Sequence, residues 1–118
     1  MSIERISKGA TYKSETQEHT FYTTINHDDD GKVMEIFVRI DDKNLFEMIQ
    51  LVTRLTSMLL QTGTDPMAMA NELQEVYSPI TRHMIPGTND MCPSIIARIG
   101  LILENHIISR VITEANDA

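Results

Sequence analysis

A chain of 118 residues with 42% hydrophobic and 23% charged residues is long enough for one real core and lies far from the composition of a disordered segment. Its net charge of −7 argues against non-specific binding to DNA or RNA, whose phosphates demand an excess of Lys and Arg, but leaves room for one small anion held by a few cations. The single cysteine, Cys92, excludes an internal disulfide and suits a reducing compartment; no run approaches the ~20 apolar residues of a membrane span and the opening MSIERISKGA lacks a signal-peptide apolar segment, so the cytoplasm is the expected location.

The first third of the chain reads as strands. Thr11–Ser14 is a short candidate, and Thr20–Asn26 and Val33–Ile40 are rich in β-branched and aromatic residues. The intervening His27-Asp28-Asp29-Asp30-Gly31 is hairpin chemistry, polar and ending in Gly. In the third strand Met34, Ile36, Val38 and Ile40 share one uniformly apolar face, expected to meet the helices, while Val33, Glu35, Phe37 and Arg39 share the other.

The middle reads as helix. Asn44 with Glu47 matches a capping box. Leu45, Met48, Ile49, Val52, Leu55, Met58 and Leu59 make the expected core-facing stripe, with Glu47, Gln50, Arg54, Ser57 and Gln61 opposite. Gly63 is placed to end this helix, and Asp65-Pro66 to start a second one running to about Tyr77 and burying Ala70, Leu73 and Val76. Residues 78–91, with Pro79, Pro86 and Gly87, read as loop. Pro93 opens a final helix to about Ile112 whose apolar residues, Ile95 to Ile112, cover nearly its whole circumference. With no repeat, low-complexity run or linker, the expectation is one α+β domain over residues 1–118: a small antiparallel sheet of about three strands followed by three helices, the last long and apolar nearly all round. One layer of sheet and helix cannot cover both sides of such a helix, so an oligomer is expected.

Catalytic and metal signatures are missing from the sequence. There is no phosphate-cradling glycine motif, no zinc-helix spacing of histidines, and the Asp28–Gly31 run lacks the twelfth-position Glu of a calcium loop and reads as a solvated turn. Cys92 reads as packed and not nucleophilic, and His19, His27, His83 and His106 as unrelated singletons. The expectation is therefore no enzyme activity, no cofactor and no metal.

What remains is anion recognition. Residues 1–43 carry six of the ten cations; from residue 44 onward the only ones are Arg54, Arg82, Arg98 and Arg110, with no Lys. Arginine is the residue of bidentate phosphate and carboxylate recognition. Arg98, in an apolar helix, requires a carboxylate, carbonyls or a ligand phosphate. The polar Gly87-Thr88-Asn89-Asp90 leads into a helix N-terminus, with Arg82 in the same loop. Asn89 and Asp90 either read a base edge or ribose, or Asp90 pairs with an arginine while Asn89 holds the turn. Tyr77 and Phe21 are candidates to stack on a base.

FYTTINHDDDGKVMEIFVRI (Phe21–Ile40), with its aromatic start, Asn, acidic turn, Gly and Glu-Ile-Phe strand, resembles the opening hairpin of the TSCPD domain, the tail module of adenosylcobalamin-dependent ribonucleotide reductases. LVTRLTSMLLQTGTDPMAMANELQEV (Leu51–Val76) resembles its following helices, and CPSIIARIGLILENHI (Cys92–Ile107) its terminal helix, most of all in the separately encoded small-subunit form. The resemblance spans about residues 11–108. Many relatives carry extra cysteines, and only Cys92 stands here, which puts a redox or metal role in doubt; with no catalytic barrel, the chain cannot reduce ribonucleotides alone.

Two functions are then expected. One is a non-enzymatic nucleotide-binding protein, a homo-oligomer of the phage-sponge type that sequesters cyclic or ADP-ribose-type signalling nucleotides at a subunit interface. Arg54, Arg82, Arg98 and Arg110 would meet phosphates, Asn89 and Asp90 a base or ribose, and Tyr77 would stack. The alternative is an accessory subunit of such a reductase, docking on the large subunit through the last helix.

Overall fold

Alternation of β-branched and aromatic residues builds a three-stranded antiparallel sheet in the order β1-β2-β3, with β1 at Ser7–Glu15, β2 at Thr20–His27 and β3 at Val33–Ile40. The computed structural model describes residues 7–117, so the reading of the opening MSIERI lies outside the described residues. Helices α1 (Lys43–Gln61), α2 (Pro66–Gln74) and α3 (Ile95–Asp117) follow, giving the α+β order expected. The chain divides into two compact units, Met1–Thr64 and Asp65–Ala118.

In the first unit the Asp28 carboxylate closes the β2–β3 turn, accepting from the Asp30 and Lys32 amides at 2.9 Å each. Phe21, Ile25, Ile36, Val38 and Ile40 are buried on the inner face, whereas Phe37 and Arg39 lie exposed on the outer one, as the alternation requires. Val33 departs from that expectation. Asn26 pairs with Glu35 but His27 with Val33, so Met34 bulges out of register and Val33 turns inward, only 4% exposed.

α1 departs further. Its cap is Asp42, whose carboxylate accepts from the Asn44 amide at 2.7 Å, so Asn44 lies inside the helix. The helix buries Ile49, Thr53, Thr56, Ser57 and Leu60, while Met48, Leu51, Leu55, Met58 and Leu59 are exposed. The cause is the free edge of β3. Ile36 donates its N–H to Ser57 Oγ at 3.0 Å, Ser57 Oγ donates to the Ile36 carbonyl at 3.1 Å, and Gln61 Nε2 donates to the Met34 carbonyl at 3.2 Å. A strand edge needs hydrogen bonds before it needs apolar cover, and so it takes a mixed stripe of α1 in which Thr53, Thr56 and Ser57 join Ile49 and Leu60. The helix then ends as its Gly63 foretells: at φ 108 that residue lets its own N–H reach the Leu60 carbonyl and Thr64 N–H the Leu59 carbonyl.

In the second unit Asp65 caps α2 through the Ala68 amide, with Pro66 in the first turn. Ala70 and Leu73 are buried as expected; the helix stops at Gln74, however, and Val76, beyond its end, is 41% exposed. The expected loop of residues 78–91 holds a short hairpin, β4 (His83–Met84) with β5 (Met91–Cys92). α3 begins at Ile95, not Pro93, because Ser94 caps it, accepting from the Ala97 amide at 2.9 Å and donating to the Val76 carbonyl at 2.6 Å. Ile95, Ile96, Ile99 and Leu103 are fully buried, but Glu104, Asn105, His106, Ser109 and Arg110 interrupt the circumference and Ile108, Val111 and Ile112 are exposed. An apolar face nearly all round is therefore not supported; the second half of the helix is of mixed character.

Candidate functional site

Arg54 projects from the exposed side of α1. It lines a 340 Å³ cavity with Phe37, Leu51, Leu55 and Met58 and makes no ion pair among the described residues. Around it, Leu51, Leu55 and Met58 are between 51% and 62% exposed. Together with Met48 and Leu59 they occupy about a third of the helix circumference. A guanidinium set in an apolar field of this kind is suited to an anion brought in together with a surface that excludes water.

In the second unit, the cross-strand pairing of His83 with Cys92 brings both beside Arg98, in the second turn of α3. His83 Nδ1 lies 2.9 Å from the Thr81 carbonyl, which makes it the protonated nitrogen, and Nε2 then accepts from Arg98 Nη1 at 3.0 Å. His83 is thus a positioning partner for Arg98 and not a singleton, a link the sequence hides because the residues stand fifteen positions apart. Burial pushes the Cys92 thiol up, against the opposing pull of a hydrogen bond with the Ser94 backbone and of the Arg98 charge, and burial pulls the Arg98 guanidinium down. A protonated thiol beside a neutral imidazole whose free nitrogen is occupied is not an activated nucleophile.

The other expected site residues are spread along the second unit. Arg82 is exposed just before β4; Asn89 and Asp90 are exposed in the β4–β5 turn, where Asp90 makes no ion pair among the described residues; Tyr77 is 61% exposed; Arg110 is half-buried in the later turns of α3. The hairpin brings Arg82, Asn89 and Asp90 onto one small element, as their proximity in sequence implied. Phe21 is completely buried in the first unit and cannot stack on a ligand. Among the described residues no group of three His, Cys, Asp or Glu side chains could hold a metal ion.

These strands, α1 with its glycine stop, the Asp-Pro start of α2 and the Cys-Pro entry to α3 lie within residues 3–107, which match the TSCPD domain as a family. The chain belongs to the TSCPD domain family. Neither a curated protein nor a solved structure matches it. The TSCPD match spans both compact units, so Arg54 and the β4–β5 hairpin are both parts of the family's domain. No helix among the described residues is long and apolar enough to cross a membrane.

Proposed function

We propose that this TSCPD-family protein is a non-enzymatic nucleotide-binding protein that acts as a homo-oligomer, holding its ligand intact at a subunit interface. One observation carries the reading: on the exposed face of α1 Leu51, Leu55 and Met58 lie beside Arg54, a cation without an ion pair among the described residues although the chain has 17 acidic residues. A second copy would cover the Leu and Met side chains, and Arg54 would meet a phosphate there in a setting drier than free solvent. Arg82, Arg98 and Arg110 are the further phosphate contacts, Asn89 and Asp90 read base or ribose, and Tyr77 supplies a stacking face. Arg98 would act from its place on His83, which orients the guanidinium. A nucleotide held without a nucleophile or activated water is sequestered, the behaviour of a sponge for cyclic or ADP-ribose-type signalling nucleotides.

Thermal melting against a panel of nucleotides, with mass from light scattering, tests it. A ligand at about 100 times its Kd adds about 2.7 kcal/mol of stability. The expected result is a stable oligomer that melts later with one nucleotide, releases it chemically unchanged, and loses the shift in Arg54→Ala. No shift with any nucleotide would remove the reading.

Membership in the TSCPD family favours a second reading, an accessory subunit of an adenosylcobalamin-dependent ribonucleotide reductase. The docking face is then that of α3, where Ile108, Val111 and Ile112 are exposed, or the apolar face of α1. This protein would be monomeric alone, indifferent to nucleotides, and captured by a reductase large subunit.

A further inference from the structure

The outer face of the sheet carries a second cavity, of 520 Å³, separate from the Arg54 face in every polar residue. Its floor follows from strand register. Tyr22 stands directly opposite Arg39, and Thr24 opposite both Phe37 and Thr11, so two adjacent rows of outward side chains set an aromatic and a guanidinium beside an aromatic and two hydroxyls. The first turns of α1 add Phe46 and Gln50 as a wall. Arg39 lies over the Tyr22 ring, 5.5 Å from its centroid, and Thr11 and Thr24 are joined by a 2.9 Å hydrogen bond.

Three features make this more than a dent. Phe37 and Phe46, both lining it, are 51% and 43% exposed, so two aromatic side chains are accessible to a ligand. Arg39 is exposed, makes no ion pair among the described residues, and is pre-oriented by Tyr22. No Asp or Glu lines the cavity, in a chain of net charge −7, so Arg39 is its one charged lining residue. Flat apolar faces, a fork of N–H donors, an amide that both donates and accepts, and paired hydroxyls are the complements of a heteroaromatic ring, a phosphate, a base edge and a sugar. The volume lies within the roughly 300–1,000 Å³ of small-molecule sites.

We infer that the Tyr22–Arg39–Phe46 cleft is a binding site for a nucleoside monophosphate, with the phosphate on Arg39, the base stacked against Phe37 and Phe46, and the Gln50 amide at the base edge. The site lies within one chain and shares only Phe37 with the Arg54 cavity of the proposed interface.

Two-dimensional amide NMR of the full chain, titrated separately with AMP, adenosine and inorganic phosphate, tests it. The expected result is that AMP moves the amides of Tyr22, Thr24, Phe37 and Arg39 saturably, that adenosine and phosphate each bind about tenfold more weakly or worse, and that Arg39→Ala weakens AMP about tenfold. Arg39 is exposed, so the variant keeps its fold, as amides away from the cleft would report; Phe46→Ala supplies the same reading should it not. Arg54→Ala leaves these AMP shifts unchanged, which separates this site from the interface reading: either can fail alone. Absence of AMP shifts at these amides, undiminished binding in Arg39→Ala, phosphate equalling AMP, or loss of the shifts in Arg54→Ala would each overturn the inference.

Discussion

α1 and α3 are both rich in large aliphatic residues, Leu and Met in α1 and Ile and Leu in α3, yet they use that surface in opposite ways. α3 buries Ile95, Ile96, Ile99 and Leu103 in a unit where α2 packs against it, and the two helices approach so closely that a Cβ on Gly100 would fall 2.8 Å from the Ala70 carbonyl oxygen and from Leu73 Cβ. α1 faces the edge of a strand, buries Ser57 on it, and leaves Leu51, Leu55 and Met58 exposed. A helix partner rewards apolar shape, whereas a sheet edge demands hydrogen bonds.

The largest effect that would test this contrast is on the α2–α3 crossing. Gly100→Ala should cost about 1–3 kcal/mol in urea unfolding, because the added methyl meets backbone that cannot move aside. Little loss would mean the helices are less tightly apposed than described. Next is Ser57→Ala, which strips the Ile36 N–H and carbonyl of their partner; about 1–3 kcal/mol of stability and much of the Ile36 amide's protection from hydrogen exchange should go with it. An unchanged exchange rate would show the edge is satisfied some other way.

Thr23 sharpens the point within the same unit. Its hydroxyl is fully buried and finds no hydrogen-bond partner among the described residues, so Thr23→Val should raise stability by about 1 kcal/mol, where Ser57→Ala lowers it. A loss on Thr23→Val would reveal a partner for that hydroxyl. In the second unit the thiol at the entry to α3 makes a pH test. Burial holds the Cys92 thiol above its ordinary range, so the unfolded chain ionises first: this contribution is fully present at neutral pH and is lost as pH rises through that range. Cys92→Ala should flatten that part of the stability profile relative to the wild-type chain; two superimposable profiles would argue against burial as the cause. The smallest expected effect on folding is at Leu55, 51% exposed on α1. Leu55→Glu should change the unfolding free energy of the isolated chain by no more than about 0.5 kcal/mol, and yet abolish self-association measured by light scattering. Association that survives the charge would place the interface elsewhere.

Much of the fold was legible because its signals are local. The bounds of β3, the acidic turn ending in Gly31, the Gly63 stop and the Asp65-Pro66 start need only a few neighbouring residues, and each stands where the sequence puts it. The outward position of Arg39 beside Phe37 was legible too; that Tyr22 and Phe46 complete a cleft with them was not, since strand register and the course of α1 bring them together. The β4–β5 hairpin escaped notice because two-residue strands carry no periodicity.

The sequence by itself determined the α+β order, the acidic turn, the Gly63 stop, the Asp65-Pro66 start and the family, since dihedral preference and side-chain period act over a few residues. Tertiary structure alone decided which stripe of α1 turns inward, because amphipathicity says that two faces differ but not whether the neighbour is an apolar surface or an unpaired strand edge. It also decided that Arg98 rests on His83, a contact made only when a hairpin and a helix fold against each other.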